Sequence, residues 1–153
     1  MSFLELRIPP PAVGLLVAAG MLAVARLPPS MAIPWLVRLL IAAALFVAGI
    51  AVALGGVVSF RRTRTTVNPL KPDTTTALVV TGVYSFTRNP MYLGMVLVLI
   101  AWAVFLASPW TLAGPAVFAL YITRFQIVPE ERVLLELFGE SFADYGRQVR
   151  RWL

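Results

Sequence analysis

The stretch TRNPMYLG, residues 87–94, brings an arginine, an asparagine, a proline and a tyrosine together directly before a long apolar segment. Asn89 and Pro90 are typical of a helix start, where asparagine caps free N–H groups and proline loses no hydrogen bond. A helix that begins there presents free N–H groups and the positive end of its dipole, which suit a carboxylate or a phosphate. The stretch is therefore either a well-capped helix start or a binding site built on one.

A second stretch, VPEERVLLELFGESFADY, follows the last apolar segment, and five of the seven carboxylates lie in the last 24 residues. Glu130 and Glu131 open this polar stretch. Acids in a first helical turn are favourable with the helix dipole, which is the ordinary explanation. Carboxylates close to hydrocarbon are nevertheless costly unless they are paired. We therefore expect a partner for them, either Arg88, Arg124 or a cationic ligand.

The composition defines the class of protein in which these residues work. The chain of 153 residues is 59% hydrophobic and only 13% charged, whereas soluble domains carry about 25% charged residues. It has no cysteine and no histidine, so it lacks the commonest general base near neutral pH, and no metal site is expected. The net charge of +6 indicates attraction to anionic lipid headgroups rather than to nucleic acid.

Four apolar segments position the two polar stretches. The predicted fold is an all-α integral membrane protein with about four transmembrane helices and C-terminal amphipathic helices, in one membrane domain of residues 1–153. The first segment is interpreted as a retained helix rather than a signal peptide, and Gly114-Pro115 is expected to kink the fourth. The predicted spans are residues 12–27, 34–60, 90–107 and 110–128.

Basic residues concentrate in the loop of residues 61–89 and in the tail of residues 129–153. By the positive-inside rule, the loop, the tail and the N-terminus are expected on the cytoplasmic side, and the short, basic chain suggests a prokaryotic inner membrane. The tail is expected to lie on the membrane surface as one or two amphipathic helices that break near Gly139, with Arg147, Arg150 and Arg151 facing headgroups.

The two polar stretches together resemble a known family. TTTALVVTGVYSFTRNPMYLG followed by EERVLLELFGESFADYGRQVRRW is similar to the isoprenylcysteine carboxyl methyltransferase and phospholipid methyltransferase superfamily. These are membrane enzymes that use S-adenosylmethionine. The resemblance covers about the last 90 residues of the chain, and the first two spans match only as apolar helices.

The resemblance implies roles for individual residues. Arg88 and Glu131 are the candidate catalytic residues, with Arg88 expected to brace one of the paired acids. Asn89 replaces the histidine of the eukaryotic pattern and cannot act as a base near pH 7. The substrate-binding arginine of the family has no certain match, so Arg124 and Gln126 are the candidates for that role. Cofactor contacts are implied for Ala77, Leu78, Val79, Tyr84, Asn89, Pro90, Met91, Tyr92 and Glu130.

The expected function is methyl transfer from S-adenosylmethionine to a lipid-like or isoprenoid acceptor at the cytoplasmic membrane face. Two alternatives remain open. One is an NADPH-dependent membrane reductase of the sterol reductase type, which would be expected to carry extra basic residues for the cofactor phosphate. The other is a non-catalytic lipid-binding membrane protein. The acceptor and the oligomeric state stay open, because Gly49, Gly55 and Gly56 suit either internal packing or a dimer.

Overall fold

The computed structural model describes residues 5–62 and 78–153, and every regular element within these ranges is a helix. This confirms the predicted all-helical class. Short 3₁₀ turns cover Gly82–Ser85 and Pro109–Leu112, and a π-helical segment covers Thr123–Ile127. The α-helices are α1 (Pro10–Val24), α2 (Trp35–Arg62), α3 (Pro90–Leu106), α4 (Ala113–Ile122), α5 (Val128–Phe138) and α6 (Glu140–Gln148).

Among the described residues, two helices are long and apolar enough to cross a membrane by length and composition, namely Trp35–Arg61 and the continuous helical stretch Pro109–Phe138. Helices α1 and α3 are also apolar but shorter. Large apolar side chains point outward from the bundle, since Leu16, Leu36 and Leu40 are 70%, 63% and 61% exposed. Such a surface suits lipid rather than water. Four membrane spans stay a prediction.

The helix that contains the fourth predicted span continues past residue 128, because α4, the π-helical segment and α5 follow one another without a break. Pro129 has no N–H to give to the carbonyl of Phe125, four residues earlier, and would clash with it in a regular α-helix. The wider π-helical turn removes this conflict, and the Phe125 carbonyl accepts a hydrogen bond from Leu6 N at 3.1 Å. Pro115 lies in the first turn of α4, where proline is tolerated.

Helix α3 is the centre of the bundle, with contacts to α2 and to α1 and α4. Its closest approach is to α2, where a Cβ added to Gly49 would lie 2.7 Å from the Gly94 carbonyl oxygen. A Cβ on Gly55 or Gly56 would lie 2.9 Å from Val83 or Met91. The three glycines of α2 therefore serve internal packing, and they place α2 against the N-terminal end of α3.

Candidate functional site

The 3₁₀ turn of Gly82–Ser85 is held by an edge contact between the Phe60 and Tyr84 rings and by a hydrogen bond from α6. Gly82 has φ +65°, a conformation that L side chains rarely adopt, and it starts the 3₁₀ turn that buries Tyr84. The Tyr145 hydroxyl of α6 donates to the Tyr84 carbonyl at 2.7 Å. Burial raises the pKa of Tyr145 to about 12 and raises that of Tyr84 further. Both phenols are therefore neutral at physiological pH.

One carboxylate oxygen of Glu130 accepts hydrogen bonds from two neutral side chains. The Tyr92 hydroxyl of α3 donates to Oε1 at 2.6 Å, and the Gln126 amide donates to the same atom at 2.7 Å. The second oxygen, Oε2, makes no hydrogen bond or ion pair within residues 5–62 and 78–153. A partly buried carboxylate without a cationic partner is unusual because its charge is costly to desolvate.

Glu131 has a different environment, since two guanidinium groups surround it. Arg88 lies 3.2 Å from Oε1, and Arg151 reaches both oxygens, Nε to Oε1 at 3.1 Å and Nη2 to Oε2 at 2.6 Å. The hydrogen bond to Glu131 raises the pKa of Arg151. The Arg88 side chain is 16% exposed and lies over the Phe142 ring. Glu131 is thus neutralised by protein groups, and the expectation that Arg88 pairs with one of the two acids is confirmed.

Residues 149–153, which we call the C-terminal segment, lie against the turn before α3. The Arg150 carbonyl accepts from Arg88 N at 3.0 Å, and the Arg151 carbonyl accepts from Asn89 Nδ2 at 2.9 Å and Thr87 Oγ1 at 3.3 Å. At its end, Trp152 Nε1 donates to Thr123 Oγ1 at 3.2 Å. The C-terminal segment therefore connects the start of α3 to the π-helical segment.

Most of the predicted cofactor-contact residues in the described part of the chain are at least partly buried. Val79, Tyr84, Pro90 and Tyr92 are buried, and Leu78 and Met91 are partly buried, whereas Ala77 lies outside the described residues. The Asn89 side chain makes no capping hydrogen bond at the start of α3, and its amide nitrogen donates to the C-terminal segment.

Arg124 does not join the paired acids. It is 57% exposed and lies 3.2 Å from Glu5, which belongs to the segment before α1, so the expected pairing with Glu130 or Glu131 is wrong. Gln126, in the same π-helical segment, is 2% exposed and faces Glu130. The π-helical turn thus sends two nearby side chains in different directions.

The predicted environment of Arg151 is wrong, because this side chain pairs with Glu131 instead of facing headgroups. Tyr145, which the predicted site does not include, anchors α6 to Tyr84. In the sequence, this ion pair of Arg151 is indicated only by the expectation that the paired acids need a cationic partner. Within the described part of the chain, no group of three His, Cys, Asp or Glu side chains could hold a metal ion.

In the part of the chain that the structure describes, a helical bundle with an apolar outer surface carries a cluster of polar contacts around Glu130 and Glu131, which is the architecture of a membrane-associated helical protein. Residues 37–141 match the phospholipid methyltransferase family. The chain belongs to this family, which confirms the predicted superfamily and the class of enzyme, a methyltransferase. The matched residues include Arg88, Glu130 and Glu131 but end before the C-terminal segment.

Three relatives illustrate the similarity. A protein of unassigned function from Haemophilus influenzae is 41% identical over 63 residues, which are 41% of this chain and all of the relative. The protein-S-isoprenylcysteine O-methyltransferase of Mus musculus is 39% identical over 82 residues, 52% of this chain and 28% of that enzyme. Methanethiol S-methyltransferase 1 of Bradyrhizobium diazoefficiens is 36% identical over 69 residues, 43% of this chain and 22% of that enzyme.

The matched stretch is therefore a small part of each named methyltransferase. No solved structure matches the chain.

Proposed function

We propose that this protein transfers a methyl group from S-adenosylmethionine to a lipid-like or isoprenoid acceptor at the cytoplasmic face of a membrane. The family supports the reaction class, and the apolar helices support the location. A prokaryotic inner membrane, with both termini cytoplasmic, is the proposed setting.

The observation that carries the cofactor proposal is the contrast between the two adjacent acids. Glu131 is paired with Arg88 and Arg151, but Glu130 keeps one oxygen without a partner among the described residues. The described cations near the two acids pair with Glu131 and not with Glu130, so the Glu130 carboxylate can take a cationic ligand as its partner. S-adenosylmethionine fits this site, since it carries an ammonium group and a sulfonium group.

The residues around Glu130 would bind the rest of the cofactor. Tyrosine faces attract cations by about 0.5–2 kcal/mol each, and the start of α3 suits the carboxylate of the ligand. When bound, S-adenosylmethionine supplies a methyl group that its positive sulfur already activates. We assign cofactor contacts to Ala77, Leu78, Val79, Tyr84, Asn89, Pro90, Met91, Tyr92 and Glu130.

The protein's contribution to catalysis is orientation and exclusion of water. Alignment of two reactants can supply about 7–11 kcal/mol of a barrier. Arg88 and Glu131, the candidate catalytic pair, would act by holding the C-terminal segment and α5 over the site. The acceptor would enter from the bilayer. Arg124 and Gln126 remain the residues that we propose to contact it.

Calorimetric titration of the detergent-purified protein with S-adenosylmethionine and separately with NADPH tests this proposal. We expect saturable binding of the first ligand alone, weakened about tenfold in Glu130→Gln, the order expected when a charged hydrogen bond is lost. Glu136→Gln, on the exposed side of α5, is the matched control and should bind normally. Binding of NADPH alone would indicate a reductase. Binding of neither ligand would favour a non-catalytic membrane protein.

A further inference from the structure

Gln126 is a buried amide whose position depends on the π-helical segment. The segment Thr123–Ile127 lies between α4 and α5, and π-helical turns are frequent at functional sites. Gln126 is 2% exposed, so its polar atoms have left water and need partners inside the protein. One of those partners is Oε1 of Glu130, at 2.7 Å from the amide nitrogen.

Tyr92 and Gln126 reach the same oxygen from different elements. Tyr92 lies in the first turn of α3 and Gln126 precedes α5, and both donate to Oε1 of Glu130. A carboxylate held at one oxygen by two donors has little rotational freedom. Because both donors are neutral, they orient the group without neutralising it, unlike the guanidinium groups on Glu131.

We propose that Gln126 is a positioning residue, which with Tyr92 holds Oε1 of Glu130 and thereby leaves Oε2 as the oxygen that binds the cofactor. This inference rests on the proposed function. It gives Gln126 a more specific role than contact with the acceptor. Gln126 affects cofactor affinity only by holding Glu130 in place.

A double-mutant cycle tests the inference. Affinity for S-adenosylmethionine is measured by calorimetry for the wild type, Gln126→Met, Glu130→Gln and the double variant. We expect Gln126→Met to weaken binding about tenfold, as for a lost hydrogen bond to a charged group. In the Glu130→Gln background, the same change should weaken binding less than about twofold, since residues that act through one contact are not additive.

Controls separate positioning from folding. Gln148→Met, on the exposed side of α6, should leave binding unchanged, and the Tm of each variant is measured in the same detergent. If Gln126→Met does not fold, Gln126→Asn replaces it, because the shorter amide keeps the buried polar group but withdraws it from Glu130. The cycle is then repeated with that variant and the same expectation.

The binding results distinguish a failure of the positioning role of Gln126 from a failure of the proposed function. Wild-type protein that does not bind S-adenosylmethionine would overturn both. If the wild type binds and Glu130→Gln weakens binding, an unaffected or fully additive Gln126 variant would overturn the positioning role alone. A purely structural role for Gln126 predicts that additive result.

Discussion

Arg151 and Glu131, 20 residues apart, form a two-point ion pair with distances of 3.1 Å from Nε to Oε1 and 2.6 Å from Nη2 to Oε2. The pair joins the C-terminal segment to α5, and Arg88 joins the same carboxylate to the turn before α3. One carboxylate thus connects three parts of the chain that meet at the site.

Loss of the Arg151 guanidinium should loosen the C-terminal segment. We expect Arg151→Met to lower the free energy of unfolding by about 1 kcal/mol, because the pair is partly exposed and Glu131 retains Arg88. Arg150→Met is the matched control: Arg150 is exposed, and its side chain should be dispensable. Thermal unfolding followed by tryptophan fluorescence measures both variants. Equal Tm values for the two variants would contradict the anchoring role.

The change to glutamine should lower the Tm at Glu131 but not at Glu130. Glu131→Gln leaves Arg88 and Arg151 without their counter-ion, which should cost about 1–3 kcal/mol. Glu130→Gln removes a charge that has no cationic partner among the described residues, so the Tm without ligand should stay equal or rise. The measurement is thermal unfolding of the ligand-free protein. A Tm loss of similar size in both variants would remove the distinction between a structural acid and a ligand-binding acid.

The Tyr145 hydroxyl should contribute to stability, whereas the Tyr121 hydroxyl should not. Tyr145→Phe leaves the Tyr84 carbonyl without its donor, which should cost about 1–2 kcal/mol. The Tyr121 hydroxyl is buried and has no hydrogen-bond partner in the described structure, so Tyr121→Phe should be neutral or stabilising. Comparison of the two Tm values tests the contact between α6 and the 3₁₀ turn, and a neutral Tyr145→Phe would argue against it.

The packing of α2 on α3 should tolerate no side chain at Gly49. Gly49→Ala places a methyl group 2.7 Å from the Gly94 carbonyl oxygen, and overpacking of this kind costs about 1–3 kcal/mol. Gly20→Ala in α1 is the control, since no heavy atom lies within 4 Å of its added Cβ. Unfolding in detergent should show a lower Tm for the first variant only. A normal Tm for Gly49→Ala would mean that the helices are farther apart.

Much of the fold could be predicted because long apolar segments leave few structural options in a membrane. The bounds of α1, α2 and α3 lie within three residues of the predicted ones. The continuous helix from α4 through α5 was not predicted, because Pro129 is typical of a helix start. The structure has a π-helical turn before it, in which the Phe125 carbonyl accepts a hydrogen bond from Leu6 N. No local pattern around Pro129 contains that distant partner.

The sequence alone determined the helical class, the two polar stretches and the need of Glu130 and Glu131 for partners. Only the tertiary structure decided which acid receives which partner. Adjacent residues on a helix point about 100° apart, so Glu131 meets Arg88 and Arg151 while Glu130 meets Tyr92 and Gln126. The choice depends on side chains that come together only when α3, α5 and the C-terminal segment pack against one another.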